Sequence, residues 1–267
     1  MEQWFISAKK ADFNGIARHF GISPVLARLM RNRNLTTEEE MRKYLYGSLE
    51  DLYEPSLLKD AEKGVQVIKE KIMAGKKIRI ISDYDVDGVS SNYILYRGLA
   101  RCGAQVDYRI PDRVADGYGI NEHLIDQAYE DGVDTVITCD NGIAAAEQIS
   151  YGNGLGMTFV VTDHHDVPFV EKDGVRTEQI PEAAAVINPK QEDCAYPFKN
   201  ICGAVVVYKF IELLYDAFGI GRREAQEFLE IAAMATVCDV MILQDENRIL
   251  VKEGLRRMNE TKIRGLR

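Results

Sequence analysis

Residues 78–88 read Ile78-Arg79-Ile80-Ile81-Ser82-Asp83-Tyr84-Asp85-Val86-Asp87-Gly88, a short apolar run that breaks into three alternate aspartates. An apolar run of this length with a polar turn behind it predicts a strand buried in a sheet. The aspartates match positions 1, 3 and 5 of a calcium-binding EF-hand loop, with Gly88 at position 6. That loop needs a glutamate at position 12, which here is Ile94, and a preceding helix where this chain has a strand. The aspartates therefore belong to a strand end.

The pattern repeats downstream. Thr135–Cys139 runs into Asp140-Asn141-Gly142, and Thr158–Thr162 runs into Asp163-His164-His165-Asp166. Further apolar runs lie at Val106–Ile110 and Ala184–Ile187, with helical stretches near 90–101, 121–131 and 143–151. Continuous apolar runs that alternate with helices predict strands buried on both faces of a parallel sheet. The expected fold is α/β: a doubly wound, mostly parallel sheet over roughly 76–190 with helices on both faces. A helical region follows, near 203–218 and 223–237. A helical segment, 1–75, precedes the sheet and is expected to pack on its core, so that 76–267 forms the main domain. In that segment Ser23-Pro24 caps one helix, Thr37 with first-turn acids caps a second, and Ala61, Val65, Ile68 and Ile72 recur at helical spacing before Gly75.

In an open parallel sheet the carboxyl ends of the strands meet on one edge, where ligands bind. Asp83, Asp85, Asp87, Asp140, Asp163, His164 and His165 then form one cluster, although 80 positions separate some of them. Asp140-Asn141-Gly142 alone is an ordinary turn signal; its place after a strand gives it weight. So many carboxylates together repel one another unless a cation compensates them. Oxygen and imidazole ligands suit Mn2+ or Mg2+ better than zinc. With this many ligands two divalent cations are expected, a pair that can activate water and stabilise the leaving oxygen of a displacement at phosphorus. Asp87-Gly88-Val89-Ser90-Ser91 opens a helix whose free amides, with Ser90, are candidates for a substrate phosphate. Arg109, Arg113 and Tyr118, in the glycine-bearing stretch 108–119, are further substrate-binding candidates.

Composition sets the remaining limits. The chain has 267 residues, 46% of them hydrophobic and 28% charged, enough for a sizeable core. Its formal charge of −9 gives no general attraction to nucleic acid, although bound cations reverse the sign locally. The five cysteines show no C-x-x-C spacing, so neither a zinc site nor a disulfide framework is expected. No apolar stretch is long enough for a membrane helix, and the N-terminus carries no secretory pattern. A cytoplasmic location, no membrane partner and no nucleotide cofactor are the expectations.

Asp-Tyr-Asp-Val-Asp-Gly at 83–88, Asp-Asn-Gly at 140–142 and Asp-His-His at 163–165, in that order and after strands, resemble the DHH phosphoesterase superfamily. Within it they resemble the RecJ family of bacterial single-strand-specific DNA exonucleases. Pro111 to Gly119, Ile187 to Gln191, Tyr196-Pro197-Phe198 with Cys202-Gly203-Ala204, and Ala235 to Val240 extend the likeness over nearly the whole chain. The resemblance adds Asp239, which otherwise passes as a helix cap. It implies one cation on Asp85 and Asp140 with Asp83 close by, and another on Asp87, Asp140, His164 and Asp239. It leaves His165 to contact the scissile phosphate and Asp163 to orient the histidine pair. The implied activity is metal-dependent 5′-to-3′ cleavage of single-stranded DNA in repair and recombination. Two departures stand out: Ser82 where the family usually has glycine, and Met241-Ile242-Leu243 for the usual Val-Pro-Leu. RecJ proteins continue into a second domain with a Gly-Gly-His motif and an oligonucleotide-binding barrel, so this chain corresponds to the first domain of a longer enzyme. Two alternatives are a small-substrate phosphoesterase, whose first motif usually carries histidine, and a non-catalytic scaffold, which would have lost ligands this chain keeps.

Overall fold

The computed structural model describes residues 9–267 except 115 and 118, and the chain divides into two compact units, 1–52 and 53–267. The first holds α1 (Phe13–Phe20), α2 (Pro24–Asn32) and α3 (Glu38–Tyr46). Each begins at a side chain that satisfies an orphan backbone amide. Asp12 accepts from Gly15, Ser23 accepts from Leu26 with Pro24 behind it, and Thr37 with Glu40 forms a capping box. Met30, Leu35, Met41 and Tyr44 are its buried centre.

The second unit opens with α4 (Ala61–Met73) and β1 (Lys77–Ser82), then α5 (Val86–Arg101), β2 (Gln105–Arg109), α6 (Glu122–Glu130) and β3 (Thr135–Cys139). It continues with α7 (Ala146–Gly154), β4 (Thr158–Thr162), β5 (Phe169–Lys172), β6 (Val175–Glu178) and β7 (Ala185–Ile187). Then come α8 (Gly203–Ala217), a 3-10 turn at Arg222–Phe228, α9 (Leu229–Cys238) and α10 (Asp245–Met258). Five strands form one parallel sheet in the order β2-β1-β3-β4-β7. Side chains alternate across it. Ile81, Val136, Phe159, Val161 and Val186 pack with Leu124, Ile125 and Ile149 of α6 and α7. On the other face α4 and α8 come close: a Cβ on Gly64 would lie 2.9 Å from Ile187 Cδ1 and 3.3 Å from Phe210 Cε2. This contact places α4 with the sheet, so the units part at residue 52, ahead of the expected boundary at 75.

Three further features differ from the sequence-based expectation. The run at 106–110 was expected to be buried on both faces, but β2 is the edge strand and Tyr108 and Ile110 stay exposed. Its polar positions have partners instead. Arg79 of β1, 1% exposed, donates to both carboxylate oxygens of Asp107 at 2.7 and 2.8 Å and to Asp131 at 2.7 Å. The second feature is a hairpin, β5–β6, joined by Asp173 and Gly174 with φ of 54° and 75°. An Asp-Gly pair with two positive φ values is the two-residue hairpin signal. The expected helix near 143–151 begins later, at Ala146, because the amide of Ile143 donates to Asp163.

α9 and α10 touch at Gly254, where a Cβ would lie 2.2 Å from Ala233 Cβ and 2.7 Å from the Leu229 carbonyl oxygen. Glycine to alanine in an open helix normally gains up to about 1 kcal/mol. Here the added methyl overpacks a helix crossing, so Gly254→Ala is expected to destabilise by about 1–3 kcal/mol. The urea unfolding midpoint checks this; an unchanged or higher midpoint contradicts the close packing.

Candidate metal centre

Parallel pairing sets Ser82 opposite Cys139 and Cys139 opposite Thr162. The residues that follow, Asp83, Asp140 and Asp163, therefore leave the sheet at one level. β1 and β3 flank the point where the strand order reverses, and a crevice forms there at the carboxyl edge. Burial is nearly complete: Asp83 is 3%, Asp140 1% and Asp163 1% exposed.

At the end of β1 the chain turns directly into α5. Asp85 is the N-cap, and its carboxylate accepts the Gly88 amide at 2.9 Å. A Cβ at Gly88 would lie 2.4 Å from the Asp83 carbonyl oxygen, so only glycine lets the first turn close over Asp83. The α5 amides expected to wait for a phosphate are thus partly engaged, since Asp85 also receives the Val89 amide through its carbonyl. Ser90 lies on the inner side of α5, 2% exposed.

At the end of β3, Asp140 adopts φ of 60°, a left-handed backbone unusual outside glycine. Asn141 holds it there: its Nδ2 donates to the carbonyls of Ile81 and Cys139 at 3.1 and 2.9 Å, and its Oδ1 accepts from Ile120. The turn signal is therefore a clamp that aims Asp140 into the crevice.

After β4, Asp163 organises its own loop. It accepts the amides of Ile143, His164 and His165 and the Nδ1 of His165 at 2.7 Å. Burial pushes its pKa up, but these donors outweigh burial and hold it below the usual carboxylate range. The same contact raises the pKa of His165 against the cost of its partial burial. His164 turns the other way. Its Nε2 lies 3.0 Å from Asp140 Oδ1, 3.5 Å from Asp87 Oδ2 and 3.7 Å from Asp239 Oδ2. Burial lowers its pKa, which favours the neutral imidazole that ligates metals.

The remaining two carboxylates arrive from α5 and α9. Asp87 accepts the Gly203 amide at 2.6 Å and the Ala204 amide at 2.9 Å, both from the first turn of α8. Asp239 follows the last turn of α9, with its amide donating to Ala235. Three overlapping groups result, each with ligand atoms within 4.8 Å of one another: Asp83, Asp85 and Asp140; Asp87, His164 and Asp239; and Asp140, His164 and His165.

This cluster is short of positive charge. Burial, reinforced by Asp87, Asp85 and Asp163, pushes the Asp140 carboxyl up to about 11. Burial also raises Asp83, and burial with Asp87 raises Asp239. Asp83 Oδ1 and both ring nitrogens of His164 are buried with no hydrogen-bond partner among the described residues. A buried acceptor normally has a partner, and His164 Nε2 faces the carboxylates of Asp140, Asp87 and Asp239. The donor set therefore fits divalent cations that take oxygen and imidazole ligands.

The expected substrate-binding residues lie around this centre. The Arg113 guanidinium sits 5.2 Å from the Tyr84 ring centroid. Arg109, exposed, donates to the Tyr108 carbonyl and lies 3.9 Å from Asp131, a carboxylate that also accepts from Arg79. Tyr118 lies outside the described residues. Four of the five cysteines are buried, Cys238 being exposed beside Asp239, and no described helix is long and apolar enough to cross a membrane.

A family model described as "DHH family, N-terminal domain" matches residues 77–236. The single-stranded-DNA-specific exonuclease RecJ of Bacillus subtilis is 34% identical over 99% of this chain and 32% of its own length. The Escherichia coli exonuclease of the same name is 30% identical over 91% of this chain and 42% of its own length. A crystal structure of RecJ in complex with Mn2+ from Thermus thermophilus matches with a TM-score of 0.73 and 27% identity, over 95% of this chain and 34% of that one. Another, of exonuclease RecJ bound to manganese, matches with a TM-score of 0.68 and 31% identity, over 79% of this chain and 51% of that one. The chain thus spans about a third of the Bacillus subtilis relative's length.

The Asp163–His165 contact has a pH signature in the metal-free protein. His165 has a raised pKa, so its contribution to stability is full below about 6.5, the unfolded value, and is lost as pH rises through the folded one. Asp163 has a lowered pKa, so its contribution is full above about 3.9 and is lost as pH falls through the folded value. Asp163→Asn should lower the His165 pKa in an NMR titration, reduce stability between these limits and remove the losses on either side of them. An unmoved imidazole titration contradicts the assignment.

Proposed function

The chain belongs to the DHH family, and from that membership we propose that it is the metal-binding core of a phosphodiesterase that cuts single-stranded DNA. The observation that carries this reading is the meeting of His164 Nε2 with Asp87, Asp140 and Asp239 within 3.7 Å, beside Asp83 and Asp85. We assign one cation to Asp83, Asp85 and Asp140 and a second to Asp87, Asp140, His164 and Asp239, with Asp140 common to both. When bound, such a pair supplies an activated water and charge stabilisation at phosphorus.

The chain's own groups do the rest. Asp163 keeps His165 in one orientation through Nδ1, and its negative charge favours the imidazolium. A protonated ring at the mouth of an acidic site is suited to a phosphate oxygen of the scissile group. His164 stays neutral and serves as a ligand. Asp140 is fixed by Asn141, so its carboxylate does not have to reorganise. Arg113, stacked beside Tyr84 near Asp83, is placed to meet an adjoining phosphate, whereas Arg109 is held on the sheet edge. No serine or cysteine nucleophile is needed. Mn2+ or Mg2+ is the expected cofactor, in line with the Mn2+ complex of the Thermus thermophilus relative.

The test is Mn2+-dependent release of nucleotides from a single-stranded oligonucleotide, with a duplex as control. Asp140→Ala should reduce turnover by about a hundred- to a thousandfold, the order seen when a principal charge-stabilising group is removed. A mutant as active as the wild type would sink the mechanism. Equal rates on a dinucleotide and a long strand would sink the substrate assignment and leave the metal chemistry standing.

A further inference from the structure

We infer that the first turn of α8 is a built-in clamp on Asp87, and that Gly203 and Ala204 are positioning residues for the cation that Asp87 would hold. This rests on the metal reading above, and it concerns residues outside the acidic and histidine motifs.

The amide of Gly203 donates to Asp87 Oδ2 at 2.6 Å and that of Ala204 donates to Oδ1 at 2.9 Å. Neither is used within the helix. The intrahelical bonds of α8 begin at Val205 and Val206, both of which donate to the Cys202 carbonyl. The first amides of a helix have no internal partner, and a carboxylate placed on them gains from both the hydrogen bonds and the helix dipole. Cys202, the N-cap, offers no side-chain cap of its own, so the cap comes from Asp87. Asp87 and Gly203 are 116 positions apart, so one carboxylate ties α5 to α8 at the edge of the site.

Space points the same way. A Cβ at Gly203 would sit 2.9 Å from Asp140 Cβ, 3.0 Å from Asp140 Oδ1 and 3.0 Å from Asp87 Oδ2. Glycine at this position lets α8 approach both carboxylates at once. Behind it, Cys202 Sγ lies 3.6 Å from Thr236 Oγ1 on α9, the helix that delivers Asp239. The α8 start therefore touches the elements that carry three of the ligands grouped around His164. Asp83, by contrast, has a buried oxygen with no such donor. The clamp makes the Asp87 side of the centre the pre-set half, because it fixes both oxygens of one carboxylate before any cation arrives. Groups that orient ligands in this way are typically worth about 10–100-fold in metal affinity.

Two substitutions separate the parts of the clamp. Ala204→Pro removes one donating amide at a first-turn position that tolerates proline. Gly203→Ala keeps both amides and adds a methyl between the carboxylates. In a calorimetric Mn2+ titration of the whole chain, the wild type should bind two ions. Ala204→Pro should weaken one of them about 10–100-fold and leave the other within about twofold. Gly203→Ala should weaken both, since its methyl reaches Asp140 as well. Wild-type affinities in an Ala204→Pro chain that melts cooperatively would overturn the inference. If that variant does not fold, amide hydrogen exchange in the metal-free wild type decides. Gly203 and Ala204 should be protected there and lose protection in Asp87→Ala, and exchange at open-chain rates would overturn the clamp. A wild type that binds no Mn2+ defeats the metal reading instead, and the exchange measurement still reports on the clamp.

Discussion

Six carboxylates of one sign converge on one crevice, four of them almost wholly buried, and their mutual repulsion is the constraint to which the rest of this molecule answers. In such surroundings each extra negative charge raises the pKa of its neighbours, and Asp140 is displaced to about 11. A fold that tolerates this must supply positive potential from groups that cannot drift away. Backbone amides meet that need. Asp163 takes three, Asp87 takes two from α8, and Asp85 takes one from its own helix. Asp163 also has the His165 ring. What these donors leave uncompensated is the space around His164, Asp140, Asp239 and Asp83, where divalent cations fit.

The parallel sheet does the gathering. Because β1, β3 and β4 end in register, three aspartates distant in sequence emerge at one height without any loop having to search for them. Small residues and unusual backbone then fine-tune the approach: Gly88 under Asp83, Gly203 against Asp140, and Asp140 itself in the left-handed region. Strained or tightly packed backbone of this kind persists where the surroundings over-determine it, and here Asn141 supplies three of the determining hydrogen bonds. Stability and function are thus linked at the same positions. The contacts that orient the ligands also join α5, α8 and the sheet.

Much of this was legible in the sequence. The strand ends at 82, 139 and 162 stood out because apolar runs broke abruptly into acids, and parallel topology then implied a single cluster. In 105–109, Asp107 and Arg109 between apolar neighbours mark an edge strand, and the partner of Asp107, Arg79, sits inside an otherwise isoleucine-rich run. Asp173-Gly174 is a strong hairpin signal, but its flanking strands are four residues each, almost wholly exposed, and carry no buried run. Asp239 had no local pattern at all, since a lone acid after an apolar helix fits a helix end equally well. The contacts of Asp87 with Gly203 and Ala204 span 116 residues, and only a glycine at the start of an apolar helix hinted that a close approach was required.

Whether this arrangement of side chains holds two cations is decided by anomalous scattering from crystals of the chain soaked in Mn2+. Two peaks are expected, one contacted by Asp83, Asp85 and Asp140 and the other by Asp87, Asp140, His164 and Asp239. An empty crevice at saturating Mn2+, or ions bound away from these residues, would contradict it.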